Sequence, residues 1–374
     1  MRTILAFALA ALLPAAAGAQ LRDPERRPSL GSGADTNDAN AYYQRGMDLI
    51  QRFPGQAADA FYWAGRLNPA PAESQYARGV ALWRVRAGLL GDQLKGLRLR
   101  EREQAEVRYM DSLLYSALQR NPLVNQQVTA WMYESLPGEW SKSWETRARL
   151  AYTNGRFADA VRMYARALES RRDRIRVHYD RALAFLAMER PDSALAELTG
   201  LLDEMRRQDV KQLVSLYESK AMFEYAVGSV LVKMKRYDEA REAFGRALAE
   251  DLSLGVVHGA LGDVARVLGD TAAALREYEQ GIELSPRDAL IRFRYGALLL
   301  GAGRPADAEA QYRALIETEP YWALAYLNLG LAYEHQRNAA GAAQAYEDFL
   351  KRAPRTGFEQ QVAYVTRKLA ALKR

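Results

Sequence analysis

The chain has 374 residues, a formal net charge of +6 and no cysteine. Without thiols it is neither a disulfide-stapled domain nor a lipoprotein anchored through cysteine. Its abundance of Ala, Leu, Arg and Glu is that of a soluble helical protein, and beyond the first 20 residues no stretch is apolar for long enough to span a bilayer.

Residues 1–19 read as a secretory signal peptide. Arg2 gives a positive start, residues 3–13 are apolar, and Ala17, Gly18 and Ala19 offer the small residues a signal peptidase reads, with cleavage expected before Gln20. A short Ala-rich signal on a cysteine-free chain suits a bacterial periplasmic or secreted protein best. Residues 20–38 are polar, carry Pro24, Pro28, Gly31 and Gly33, and lack apolar periodicity, so a disordered linker is expected.

Helical units follow from residue 39. Within 39–140, Tyr42, Tyr43, Gly46 and Leu49 share a first helix, and Ala57, Phe61 and Ala64 a second; the turn at Pro54 and Gly55 is one residue short of the later pattern. A second unit opens with Tyr76, Gly79 and Trp83. It is expanded by the charged helical stretch 95–108 before Met110, Leu114, Ala117 and Pro122, and an irregular insert with an apolar helix at 128–136 follows. Residues 141–220 hold two units and a short extension: Trp144, Ala160, Tyr164 and Ala167, then Ala182, Ala194 and Leu198.

The periodicity is clearest in 221–356. Gly228, Gly262, Gly296 and Gly330 stand 34 residues apart, and Ala240, Ala274, Ala308 and Ala342 keep that step. So do Phe244, Tyr278, Tyr312 and Tyr346, with Pro286, Pro320 and Pro354 later in the cycle. A fixed period of this length marks a stacked repeat, which overrides the two or three domains that length alone suggests. Small residues let paired helices approach, the aromatic fills the space between them, and breakers such as Gly269 and Asp270 or Gln336 to Asn338 make the turns. The amphipathic stretch 357–374, with Phe358, Val362, Val365, Leu369 and Leu372, is placed to cap the stack.

These positions resemble the tetratricopeptide repeat (TPR), most fully over 323–354, where Tyr326, Leu329, Gly330, Tyr333, Ala342, Tyr346 and Pro354 fit and Phe349 departs from the expected small residue. The resemblance implies an all-α, right-handed superhelical solenoid whose first helices line a concave groove. Carried onto this sequence, its groove positions give Arg176 and Tyr179, then Tyr225 and Lys233, Asp263 and Arg266, Leu290 and Phe293, and Leu324, Leu327, Leu331 and Glu334, with Asn328 adjacent. Relatives that grip a C-terminal carboxylate pair Lys with Asn in the groove; Asn328 has no such Lys, which disfavours a chaperone-tail clamp.

No motif for catalysis, cofactor or metal is present. His178, His258 and His335 fall singly on first helices without metal-ligand spacing, and the glycine pairs 31 and 33 or 301 and 303 lie in a linker and a repeat turn rather than a phosphate loop. Arg171, Arg172, Arg174 and Arg176 form a basic cluster read as a solvated end or as a contact for an acidic partner or lipid headgroups, not nucleic acid. The expectation is an exported, non-enzymatic scaffold that binds a protein or peptide in the cell envelope. Its alternatives are an accessory subunit of an outer-membrane assembly, secretion or transport machine, and an enzyme or small-molecule binder using the aromatic region 92–140.

Overall fold

A computed structural model describes residues 23–24, 26–93, 117–124, 143–169, 174–207 and 219–372. The expected signal peptide, the stretch 95–108, the helix at 128–136 and Arg171 and Arg172 lie outside the described residues. Within them the chain is all-helical. The first pair is α1 (Ala39–Leu49) and α2 (Pro54–Leu67), followed by the long α3 (Glu73–Gln93) and a helical turn at 117–120. Six further pairs are α4 (Trp144–Thr153) with α5 (Phe157–Leu168), α6 (Arg174–Ala187) with α7 (Pro191–Arg207), α8 (Lys220–Lys233) with α9 (Tyr237–Glu250), α10 (Gly255–Val267) with α11 (Thr271–Leu284), α12 (Ala289–Gly301) with α13 (Pro305–Thr318), and α14 (Ala323–His335) with α15 (Ala339–Arg352). The last helix is α16 (Glu359–Leu372). From α4 onward, successive helices pack on one another within and between pairs, as do α1, α2 and α3, so the architecture is a helical-repeat solenoid.

The repeating glycine and the repeating aromatic are one contact. A Cβ on Gly262 would stand 2.7 Å from the Tyr278 ring, and one on Gly296 would stand 2.8 Å from the Tyr312 ring. Gly228 faces Phe244 and Gly330 faces Tyr346 still more closely. The contact also joins Gly46 to Phe61 in the first pair, despite its shorter turn. Phe244, Tyr278, Tyr312 and Tyr346 are fully buried as a result.

The turns inside the pairs repeat as well. A residue with positive φ stands at Gly155, Glu189, Lys235, Gly269, Gly303 and Arg337. The amide after each donates to a carbonyl five residues back at 2.9 Å, as in Arg156 to Ala151 and Asn338 to Tyr333. This is the Schellman closure of a helix end, and it satisfies carbonyls the helix itself leaves open. Caps serve several helix starts: Ser143, Ser219, Asp270, Asp288 and Asn338 accept main-chain N–H bonds in the first turn of α4, α8, α11, α12 and α15.

Helix α16 covers the end of the stack, burying Val365 and Leu369 against Ala342, Tyr346 and Phe349. Phe349, the exception to the small-residue pattern, stacks 6.2 Å from Phe358 ahead of the cap, where a small side chain would leave a void. At the other end, residues 26–38 do not run free as the expected linker would. Trp63 Nε1 donates to the Arg26 carbonyl (3.1 Å), and Leu30 packs on the cluster of Tyr42, Trp63, Ala64 and Leu67. These bonds use main-chain atoms and one isolated leucine, so they leave no periodic trace in the sequence.

Substituting Gly296→Ala is expected to cost about 1–3 kcal/mol, because the Tyr312 ring it meets is fully buried and its hydroxyl is held by Asn328. Gly301→Ala, at a helix end where an added Cβ meets nothing within 4 Å, is expected to be neutral or slightly stabilising. Urea midpoints of the two variants check this; equal midpoints would remove the steric argument.

Candidate functional site

The first helices of successive pairs, α6, α8, α10, α12 and α14, carry the residues the repeat register assigns to the concave face. Two of them are covered by the chain itself. The Tyr179 hydroxyl donates to the main-chain carbonyl of Pro122, and the Tyr225 hydroxyl donates to that of Arg120 (3.3 Å). Arg120 Nη1 in turn donates to the Pro69 carbonyl (3.3 Å), and Leu118 and Val124 are buried in the same core. Both tyrosines are buried, their rings 5.8 Å from Phe223 and 5.9 Å from Phe244. Burial pushes the Tyr225 hydroxyl far above the usual tyrosine range, so it acts here only as a neutral donor.

Other predicted positions are engaged in holding the repeats. Asp263 accepts from the Tyr278 hydroxyl (2.6 Å) and from Arg294 Nη1 (2.6 Å), which ties α10 to α11 and to α12. Burial, followed by the charge of Asp263, drives the Tyr278 hydroxyl above its ordinary range. Asn328 Nδ2 donates to the Tyr312 hydroxyl (3.1 Å), and Glu334 accepts from Lys368 Nζ on α16 (3.0 Å). Leu327 is buried, while Leu290, Leu324 and Leu331 are half-buried. Phe293 is half-buried too, tilted 34° against Trp322 with centroids 4.5 Å apart. Lys233 and Arg266 are exposed. Arg176 is half-buried and lies near the buried Asp180, which Arg149 Nε holds at 2.6 Å.

A recurrent polar pair escaped the sequence reading. His178 Nδ1 contacts Glu197 on the opposing helix, His258 Nδ1 lies 2.8 Å from Glu277, and Arg292 donates to Gln311 (2.8 Å). Each pair is 19 residues apart at one register, a spacing that could have been found by aligning the units. Arg181 adds two bonds to Glu197, at 2.9 and 2.6 Å. At the same register Glu224, only 1 % exposed, is held instead by Arg206 and by Arg246 Nε (3.0 Å). The third histidine, His335, is exposed. Among the described residues no group of three or more His, Cys, Asp or Glu is placed to hold a metal ion, and no helix is long and apolar enough to cross a membrane.

Family profiles described as tetratricopeptide repeat match residues 151–217, 225–253, 260–322 and 298–355, between them just over half of the chain. No curated protein matches it. Similar solved structures include MamA, 17% identical over 51% of this chain and 94% of that one with a TM-score of 0.41. YrrB, described as a TPR protein with an unusual peptide-binding site, is 23% identical over 55% of this chain and 98% of that one with a TM-score of 0.42. The C-terminal part of a TPR repeat-containing protein from Cytophaga hutchinsonii is 16% identical over 55% of this chain and 77% of that one, at 0.46.

The Glu197 cluster has a pH consequence. Burial opposes its charge, but hydrogen bonds from His178 and Arg181 outweigh that and hold the carboxyl below its ordinary pKa of 4.5. Its stabilisation is therefore complete above about pH 4.5 and lost as pH falls through the lower folded value. The difference in melting temperature between the parent chain and Glu197→Gln is expected to be fully present at neutral pH and to shrink only below about pH 4.5. A difference that grew on acidification would contradict the assignment.

Proposed function

Since this chain belongs to the tetratricopeptide repeat family, we propose that it is an exported, non-enzymatic scaffold that holds a protein segment on its concave face in the cell envelope. The observation that carries the binding reading is the grip of Tyr179 and Tyr225 on the carbonyls of Pro122 and Arg120. Side chains at groove positions of two first helices there recognise main chain, which any polypeptide offers. The half-buried apolar side chains of Leu290, Phe293, Leu324 and Leu331 lie further along the same register and supply the surface for a partner. Export is supported by the pattern of residues 1–19, with its positive start, apolar run and small residues before Gln20.

Two measurements test the halves separately. A photo-crosslinking residue at Leu324 or Leu331 is expected to capture a defined protein in the source cell, whereas the same residue at Arg276 or Arg313, exposed on second helices, captures none. Identical products from both faces would sink the groove reading. For export, the N-terminus of the chain recovered from the envelope fraction is expected to be Gln20; a chain retained in the cytoplasm with Met1 intact would refute it.

A further inference from the structure

In a stacked-repeat array each unit touches its neighbours, and the two ends are free. Here the first pair meets the far end. Trp63 on α2 packs edge-on against Tyr321, in the loop after α13, with centroids 4.9 Å apart at 67°. Arg66 Nη1 lies 2.9 Å from Glu319 Oε2 and donates to the Thr318 carbonyl (2.7 Å). The Arg27 guanidinium stands 5.0 Å from both the Trp63 and the Tyr321 rings. One unit further on, Asn37 Nδ2 donates to the Lys351 carbonyl (3.0 Å), and the Arg355 amide donates to Asp35 (2.6 Å). The hydrogen-bonded partners are separated by 252 to 320 positions in the chain.

Among the described residues this seam lacks the close-packed helix faces that join successive pairs. Successive pairs interlock through buried aromatics and close helix approach. The seam is one ring pair, a cation over two aromatic faces, one ion pair and three hydrogen bonds to or from the main chain. Its charged members keep some solvent contact, the Arg66 and Glu319 side chains being 25% and 16% exposed. Such contacts are worth little each and are sensitive to salt. The far-side partners sit at the C-terminal ends of second helices (Thr318 of α13, Lys351 of α15) or on the loops that follow them (Glu319, Tyr321, Arg355), so parting the seam breaks no hydrogen bond within a helix and opens no glycine–aromatic contact.

We infer that this seam is a clasp: it closes the array into one continuous turn, and it opens as a unit while every helix pair stays folded. The clasp sets whether the concave face is enclosed or laid open, and it stands whether or not the groove takes the partner proposed above.

The absence of cysteine allows clean labelling. Dyes are placed on Gln56→Cys and Glu317→Cys, both exposed, one on α2 and one on α13. In the otherwise unaltered chain at about 0.1 M salt the pair is expected to report one short distance, and at about 1 M salt a growing population separated by at least one further helix diameter, about 10 Å. Adding Arg66→Ala with Tyr321→Ser is expected to give that longer distance at low salt, with a larger radius of gyration by X-ray scattering and an undiminished helical circular dichroism signal. An unchanged distance in the folded double variant would overturn the clasp, because the seam would then hold nothing. Loss of helicity together with the seam would overturn it too, because the contact would then be part of the common core; the salt titration of the parent chain reads the same question without any substitution at the seam.

Discussion

The fold depends on one steric constraint, an aromatic ring of a second helix lying on a glycine of the first. A side chain at that glycine would occupy the space of the ring, and a smaller ring would leave a void; the two positions specify each other. The constraint fixes how near the paired helices come, and with it the angle at which each pair presents its surface to the next. It operates at Gly46 and Phe61 as it does at Gly330 and Tyr346, although the first pair lies outside the segments that family profiles match. The first pair carries the contact with a turn one residue shorter than the later units.

Much of the architecture was legible because it is written in volume and period. Glycine, alanine and aromatic in fixed phase have few physical solutions, and the helix pairs stand where that phase puts them. What could not be read was everything that joins distant parts of the chain. Tyr179 and Tyr225 occupy groove positions by register, but nothing in their neighbourhood announces that Arg120 and Pro122 lie over them. A bond to a main-chain carbonyl carries no residue signature. For the same reason the contacts of Asp35, Asn37 and Arg66 with helix ends and a loop some 250 or more positions away looked like the features of a polar linker and a helix end. The paired His178 and Glu197, His258 and Glu277 were legible in principle, since their shared spacing survives alignment of the units, whereas each histidine taken singly resembles an ordinary surface residue.

The concave face is thus divided in its employment. Toward the middle of the chain it is used internally, its tyrosines closing over the turn that follows the second unit. In the last pairs, polar groove residues are bound to the repeat itself: Asp263 and Asn328 hold the hydroxyls of Tyr278 and Tyr312, and Glu334 anchors the capping helix. The apolar residues between them are left only half-buried. A partner there would meet a surface on which Asp263 and Glu334 are already paired and only Lys233 and Arg266 of the assigned groove residues are exposed charges, so shape and apolar area would weigh heavily in what binds.

The left-handed turn residues keep an internal calendar. Gly155 and Glu189 are 34 apart, as are Lys235, Gly269, Gly303 and Arg337, but Glu189 and Lys235 are 46 apart. Part of the added length extends α7, which has 17 residues where α9 has 14, and the rest falls between that pair and the next; the turn within each pair is untouched on either side. The chain is longer at a joint between pairs, while the turns inside the pairs keep their form. The same joint is therefore the natural place to splice in foreign sequence, and a reporter or a second binding module inserted there would leave the cadence of the stack intact.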